Sequence, residues 1–327
     1  MSKRIWITWE TQRRNKELAD AFDCEFHQFD FSKSNPLVRF LVSAQKTIAE
    51  VYANRNGVVF AQYPSVFLVC LLGFLKYFIK FDLVVDAHNG ALEEYHGEGF
   101  RKMLSKFALG RSDFVILSNT SLVPLLDPFQ SKALILPDKV PEIEEHPAPE
   151  LTSGFARPWM TLIASYADDE PIEEFLNGFL ASKVAEKGTL FVTGRKSRAG
   201  ELVRYESDQL VFTDFLTEEE FCGLIQKSDL LVDLTTREGC LVCGAYEALA
   251  VEVPVLLSNK EALKKTFPSG TIFADNDSES FARGIESFSG NKEQLKLDVS
   301  DMQSKFNQTW NGLFQIADQK IKEFAET

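Results

Sequence analysis

Between Leu230 and Leu257 an apolar run ends in Thr235-Thr236, a loop of small residues follows, and a helix opens with Glu247 in its first turns. That order aims main-chain N–H groups and the positive end of a helix dipole at one point, where a diphosphate can sit. The amides would come from Gly239, Cys240, Leu241, Val242, Cys243 and Gly244. Glu247, one or two turns into the helix, is placed to accept hydrogen bonds from ribose hydroxyls. This is the chemistry of a nucleotide-binding unit, and of a nucleotide that carries a sugar.

Other polar candidates stand where apolar runs end. His88, in Asp86-Ala-His-Asn89-Gly90, can serve as a general base or hydrogen-bond donor, or can simply orient Asp86. Asn89 and the stretch Thr11-Gln12-Arg13-Arg14 after the first strand are candidates for holding an acceptor. Arg13 and Arg14 open a helix against its dipole, so either an anionic ligand or a solvated surface must account for them. Glu93, Glu94 and His96 fall in a predicted loop that could line the same pocket. Thr193-Gly-Arg195-Lys196-Ser-Arg198 brings cations to another strand end, and Arg195 or Lys196 is expected on the diphosphate. The acids Asp168, Asp169 and Glu170 read as caps of the helix that starts near Pro171, and Asp275-Asn-Asp277 as a helix N-cap. No metal site and no cofactor are expected.

The Glu247 segment resembles the donor-site motif of the GT-B glycosyltransferases, above all family 4 of the retaining enzymes. The matching elements are Glu238-Gly239, Glu247-Ala248-Leu249-Ala250 and Pro254-Val255, with the two glutamates nine apart where the family has eight. The resemblance implies a metal-independent hexosyltransferase that uses a nucleotide-sugar as co-substrate, UDP-sugar before GDP-sugar. It implies a catalytic role for Glu238 and places His88 facing the donor sugar. Phe212-Thr-Asp-Phe215-Leu216 is similar to the family's phenylalanine-threonine-glycine turn, so Phe215 or Leu216 is expected at the nucleobase. One departure stands out: Ser165 to Pro171 replaces the glycine-arginine and lysine that hold the diphosphate in related enzymes. The implied partners are a nucleotide-sugar donor and a carbohydrate or lipid-linked acceptor, in cell-surface polysaccharide or glycolipid synthesis. An epimerase of the same fold and a non-catalytic nucleotide-sugar binder are the alternatives.

These residues need a scaffold, and the alternation of short apolar runs with helical patterns predicts one. Runs such as Val58 to Gln62 and Leu83 to Asp86 are apolar nearly throughout, as strands covered on both faces are. The fold expected is α/β, two Rossmann-like doubly wound domains facing across a cleft. The Pro-rich stretch from Pro137 to Pro158 marks the boundary, giving domains 1–155 and 156–301. A helix over 302–327 is expected to cross back to the first domain, as the GT-B resemblance implies. Residues 66–81 are the one stretch that suggests a membrane, but Lys76 and Lys80 interrupt it below the length of a span.

Composition narrows the function classes. With 35 basic and 48 acidic side chains the net charge is −13, carried almost entirely by residues 151–327, which argues against nucleic acid as a partner. Five scattered cysteines and an opening that runs directly into a strand predict a reducing cytoplasm. Peripheral attachment at the inner face of a membrane is left open. Cys240 and Cys243 have metal-like spacing but no second ligand pair.

Overall fold

The computed structural model describes residues 3–31, 35–63 and 65–326. They divide into two units, residues 1–139 with 309–327, and residues 140–308. Each is a six-stranded, all-parallel sheet covered by helices, so both belong to the doubly wound α/β class.

In the first unit the strands are β1 (Arg4–Thr8), β2 (Glu25–Gln28), β3 (Val58–Tyr63), β4 (Asp82–Ala87), β5 (Phe114–Leu117) and β6 (Ala133–Ile135), in the order β2-β1-β3-β4-β5-β6. All six residues of β3 are buried, which fits a strand with helices on both sides. Right-handed crossovers put the helices Pro36–Ala53, Val66–Leu75 and Gly99–Arg111 on one face. Val51, Leu68, Leu72 and Leu109 from those helices share one core with Ile5, Val59 and Val85. On the other face Trp6 stacks on Phe60, and Phe22 packs on Phe60 and on Phe314 of the returning C-terminal helix. That return is fastened by Arg4 Nη1 to Asp318 at 2.6 Å and by the Trp310 indole N–H to the Pro137 carbonyl at 3.0 Å.

In the second unit β7 (Trp159–Leu162), β8 (Thr189–Thr193), β9 (Leu210–Asp214), β10 (Leu230–Asp233), β11 (Val255–Ser258) and β12 (Thr271–Ala274) lie in the order β12-β11-β10-β7-β8-β9. Its core gathers Leu162, Leu190 and Val232 from the sheet with Phe175, Phe179, Phe281 and Ile285 from the helices. The helix Glu218–Lys227 starts with a capping box between Thr217 and Glu220.

Several elements differ from expectation. The apolar helix after β3 stops at Leu75, and residues 89–96 form a helix rather than a loop. The side chains of Glu93 and Glu94 in it lie outside the described ones, while His96 is held by the Leu125 carbonyl at 2.6 Å. Near the end, Ser278–Ala325 is two helices that meet at a kink at Asn291, so the second starts well before the expected residue 302. Asp277 does cap it, accepting the Ser280 N–H at 2.8 Å.

Candidate functional site

Parallel sheets bind ligands beyond the carboxyl ends of their strands, where the strand order reverses. In the second unit that point lies between β7 and β10, and the loops after both strands meet there. The Glu170 carboxylate accepts N–H bonds from Ser165 and Tyr166, at 3.0 and 2.8 Å, and the Ser165 hydroxyl at 2.5 Å. Asp169 accepts the Thr235 hydroxyl at 2.7 Å, and its carbonyl accepts the Thr236 N–H. Asp169 therefore ties the loop after β7 to the loop after β10 and Glu170 closes its own loop, instead of capping the following helix, whose N-cap position at Pro171 has no side-chain bond. A cap needs an oxygen turned toward the helix start, and these point the other way, into the loops.

The helix Cys243–Ala250 begins at the same point. Its Gly244 N–H, expected at a diphosphate, donates to Asp233 Oδ2 at 2.7 Å. A β-carbon at Gly244 would sit 2.6 Å from that oxygen, so only glycine allows the approach. Burial pushes the Asp233 carboxyl well above the usual carboxylate range; the Gly244 bond opposes this, while nearby Glu247 and Glu170 add to it. Glu247 is half-buried and near enough for its charge to be felt at Asp233. Glu238 is exposed and receives Lys260 Nζ at 2.8 Å. Gly239 has φ +70°, Cys240 and Leu241 are half-buried, Val242 is buried, and Cys243 is exposed. Neither cysteine is in a disulfide.

The loop after β8 leans on the loop after β7. At Gly194, with φ +90°, a β-carbon would meet the Ala164 carbonyl oxygen at 2.3 Å. Beyond it the Arg195 guanidinium lies over the ring of Phe215, 5.4 Å from its centre, and both are exposed. Lys196 is differently engaged, with its ammonium on Glu206 at 2.7 Å and its N–H on Asp214. Leu216 is half-buried, packed against the cluster of Trp159 and Phe191. Arg198, which sequence reasoning left out of the site, reaches the Ser165 carbonyl at 3.4 Å and is the cation that contacts the β7 loop. Its place three residues beyond Arg195, in a turn of helix, was the available signal.

The first unit reverses between β1 and β3, and a polar network fills that place. Arg14 and Asp86 are both buried; Arg14 Nε and Nη2 donate to the Asp86 carboxylate at 2.9 and 2.7 Å, Nη2 also to the Leu136 carbonyl, and Nη1 to Asp138. Burial alone would raise the Asp86 carboxyl, but Arg14 and then His88 reverse this and hold it well below the usual range. His88 Nε2 sits 3.3 Å from both Asp86 Oδ2 and Gln62 Nε2. Asn15 joins in, donating to Gln62 at 2.6 Å and accepting the Trp6 indole N–H, and Gln62 donates to Gln12. Arg14 is thus explained by neither an anionic ligand nor solvent: it neutralises a buried acid. Arg13 is exposed and pairs with Glu17, Thr11 bridges Gln28 and Asp30, and Asn89 opens the helix after His88. A cavity lined by Arg4, Phe22, Phe314 and Asp318 opens at the amino end of β1, the wrong end of a parallel sheet for a ligand.

No family profile matches the chain, and no curated protein matches it by sequence. Solved structures do match over nearly its whole length. A sucrose-phosphate synthase from Thermosynechococcus elongatus is similar over 99% of this chain and 100% of that one, with a TM-score of 0.75 at 14% identity. Anabaena Alr3699/HepE in complex with UDP covers 98% and 100%, with 0.73 at 11%. The lipopolysaccharide outer core galactosyltransferase WaaB covers 99% and 100%, with 0.66 at 9%. The fold is that of the GT-B glycosyltransferases. Within that fold this chain sets an acidic group, Asp169, Glu170, Asp233 and Glu247, around the β7–β10 reversal. Among the described residues no cluster of three or more His, Cys, Asp or Glu side chains could hold a metal ion.

Proposed function

We propose that the protein is a glycosyltransferase that moves a sugar from a UDP-sugar to a carbohydrate or lipid-linked acceptor in cell-surface polysaccharide or glycolipid synthesis. The reading rests on one observation. The helix bearing Glu247 begins at the strand-order reversal of the second unit, in a fold also found in a protein solved with UDP and with UDP-glucose.

Transfer breaks the bond between the anomeric carbon and the outer phosphate oxygen and forms one to an acceptor hydroxyl oxygen. The departing diphosphate gains negative charge, and its freed oxygen takes the proton that the acceptor hydroxyl loses. Arg195 and Arg198 would offset that charge, and loop amides would add to it without a metal. Glu247 accepts hydrogen bonds from the ribose hydroxyls, Phe215 or Leu216 meets the base, and His88, held by Asp86 and Gln62, contacts sugar hydroxyls. Glu238 is the family 4 counterpart at the sugar, and retention of configuration follows from that resemblance.

A second reading has its own observation. Asp233 already occupies the Gly244 amide, an arrangement suited to a nucleotide-sugar binder that has lost turnover. Isothermal titration with UDP and GDP tests the shared premise. UDP should bind, and Glu247→Ala should weaken it about ten- to a hundredfold, the worth of hydrogen bonds to a charged group. If neither nucleotide binds, both readings fall. Incubation with UDP-glucose and a panel of acceptors then separates transfer from binding alone, and donor without acceptor would expose an epimerase.

A further inference from the structure

The three helices that cover one face of the first sheet have an outer surface of the wrong character for water. Of the eighteen large apolar side chains exposed among the described residues, twelve lie on these helices or the turn after the second. The helix Pro36–Ala53 is inverted. Its inward side is Ser43, Thr47 and Val51, with Ser43 donating to the Phe29 carbonyl and Thr47 accepting the Trp9 indole N–H. Its outward side is Leu37, Leu41, Ile48 and Tyr52, between 41% and 67% exposed. At about 100° per residue those four fall within roughly 60° of one another, so they form one stripe. On the next helix Phe67 and Phe74, with Phe78 in the turn after it, make a second patch, all more than half exposed, and Phe100 and Met103 begin a third. The stripes are continuous: Phe40 meets Phe67 edge-on at 5.8 Å, and Gly73 lets the second helix pack close on Phe107 and Arg111.

Charge says what this surface faces. In a protein of net charge −13, residues 66–81 and 99–111 contain Lys76, Lys80, Arg101, Lys102, Lys106 and Arg111 and not one acid. Lys76 is matched by Asp113 of β5's approach, while Arg111 lies over the Tyr77 ring and Lys106 over the Tyr95 ring, contacts that leave their positive charge in place. Aromatic and aliphatic side chains ringed by lysine and arginine suit the boundary of a negatively charged bilayer, where the rings enter the headgroup layer and the cations meet phosphate. Among the described residues no helix is long and apolar enough to cross a membrane, so contact would be from one side.

We propose that this face of the first unit docks on an anionic lipid surface. The attachment does not depend on which nucleotide the second unit holds. Its test is flotation of the full chain with phosphatidylcholine vesicles, with and without phosphatidylglycerol. The protein should float with the phosphatidylglycerol vesicles, hardly with phosphatidylcholine alone, and less as salt shortens the screening length from about 10 Å at 0.1 M to about 3 Å at 1 M. Replacing Lys80, Lys102 and Lys106 by glutamine should cut partitioning about a hundredfold, roughly fivefold for each charge. Leu41→Glu with Phe74→Glu and Phe78→Glu should abolish it while leaving the melting temperature in place, because all three side chains already face solvent. Absence of flotation, or equal flotation with both vesicles, overturns the proposal. So does a dimer in sedimentation velocity that the glutamate variant dissociates without any vesicle binding, since a second copy would then be the occupant.

Discussion

Removing Arg14 should destabilise the protein more than any surface change near the proposed site, and should reverse its response to pH. The guanidinium is 6% exposed and Asp86 1%, so little of their interaction is screened by water. Arg14→Met deletes the bonds at 2.9 and 2.7 Å to Asp86, the bond to the Leu136 carbonyl and the pairing with Asp138, and leaves a carboxylate buried beside His88 alone. Breaking a buried pair from one side costs about 3–5 kcal/mol. For a unit of this size that lowers the melting temperature by about 6–20 °C. In the wild type the Asp86 pKa is depressed, so its contribution is present above the unfolded carboxylate value of about 3.9 and is lost as pH falls below it. In the variant burial is unopposed by Arg14 and the pKa rises. The folded state then binds the extra proton, and stability improves as pH drops from 7 toward 5. Differential scanning fluorimetry from pH 2 to 8 reads both effects. Arg14→Met with Asp86→Leu should recover most of the loss, since the uncompensated charge is gone. A melting temperature within about 2 °C of wild type, with an unchanged pH slope, would refute this account. A raised acceptor KM at normal stability would return Arg14 to ligand binding.

Two further outcomes follow from the second unit. Asp233 has a raised pKa, so wild-type stability declines as pH climbs from about 3.9 toward the folded value; Asp233→Asn should remove that decline, raise the melting temperature at pH 8, and tighten UDP binding there by sparing the diphosphate a nearby charge. No change in either quantity at pH 8 would mean that Asp233 is not charged against the ligand. Phe215→Ala should weaken UDP by about 1–3 kcal/mol if the exposed ring stacks on the base, with melting unaffected, and titration calorimetry that finds equal affinity would place the base elsewhere.

What the sequence disclosed depended on how local each feature is. β3, β4 and β10 were legible because burial on both faces demands unbroken apolar runs, and the doubly wound class followed from the alternation of such runs with helices. β2 was not: Glu25-Phe-His-Gln28 is a half-exposed edge with no run to read. The helix Pro36–Ala53 turns Ser43 and Thr47 inward and its leucines outward, an orientation that no local pattern marks. The network around Asp86 was hidden for a different reason. Its members are up to 124 residues apart in the chain, and nothing in Arg14's neighbourhood announces a buried partner. Glu247 was legible as a carboxylate early in a helix; the carboxylate of Asp233 in front of that helix, eleven residues before the glycine it binds, was not.

The first unit is assembled from two pieces of chain, with the whole of the second unit spelled out between them. During synthesis, residues 140–308 therefore emerge complete and can collapse on their own, while Phe22, Arg4 and the Pro137 carbonyl wait for Phe314, Asp318 and Trp310. The half that is translated first is the half that matures last. A ribosome stalled anywhere before residue 309 would hold a nascent product with one side of its leading sheet covered only by the helix Arg13–Ala21, a natural client for a chaperone.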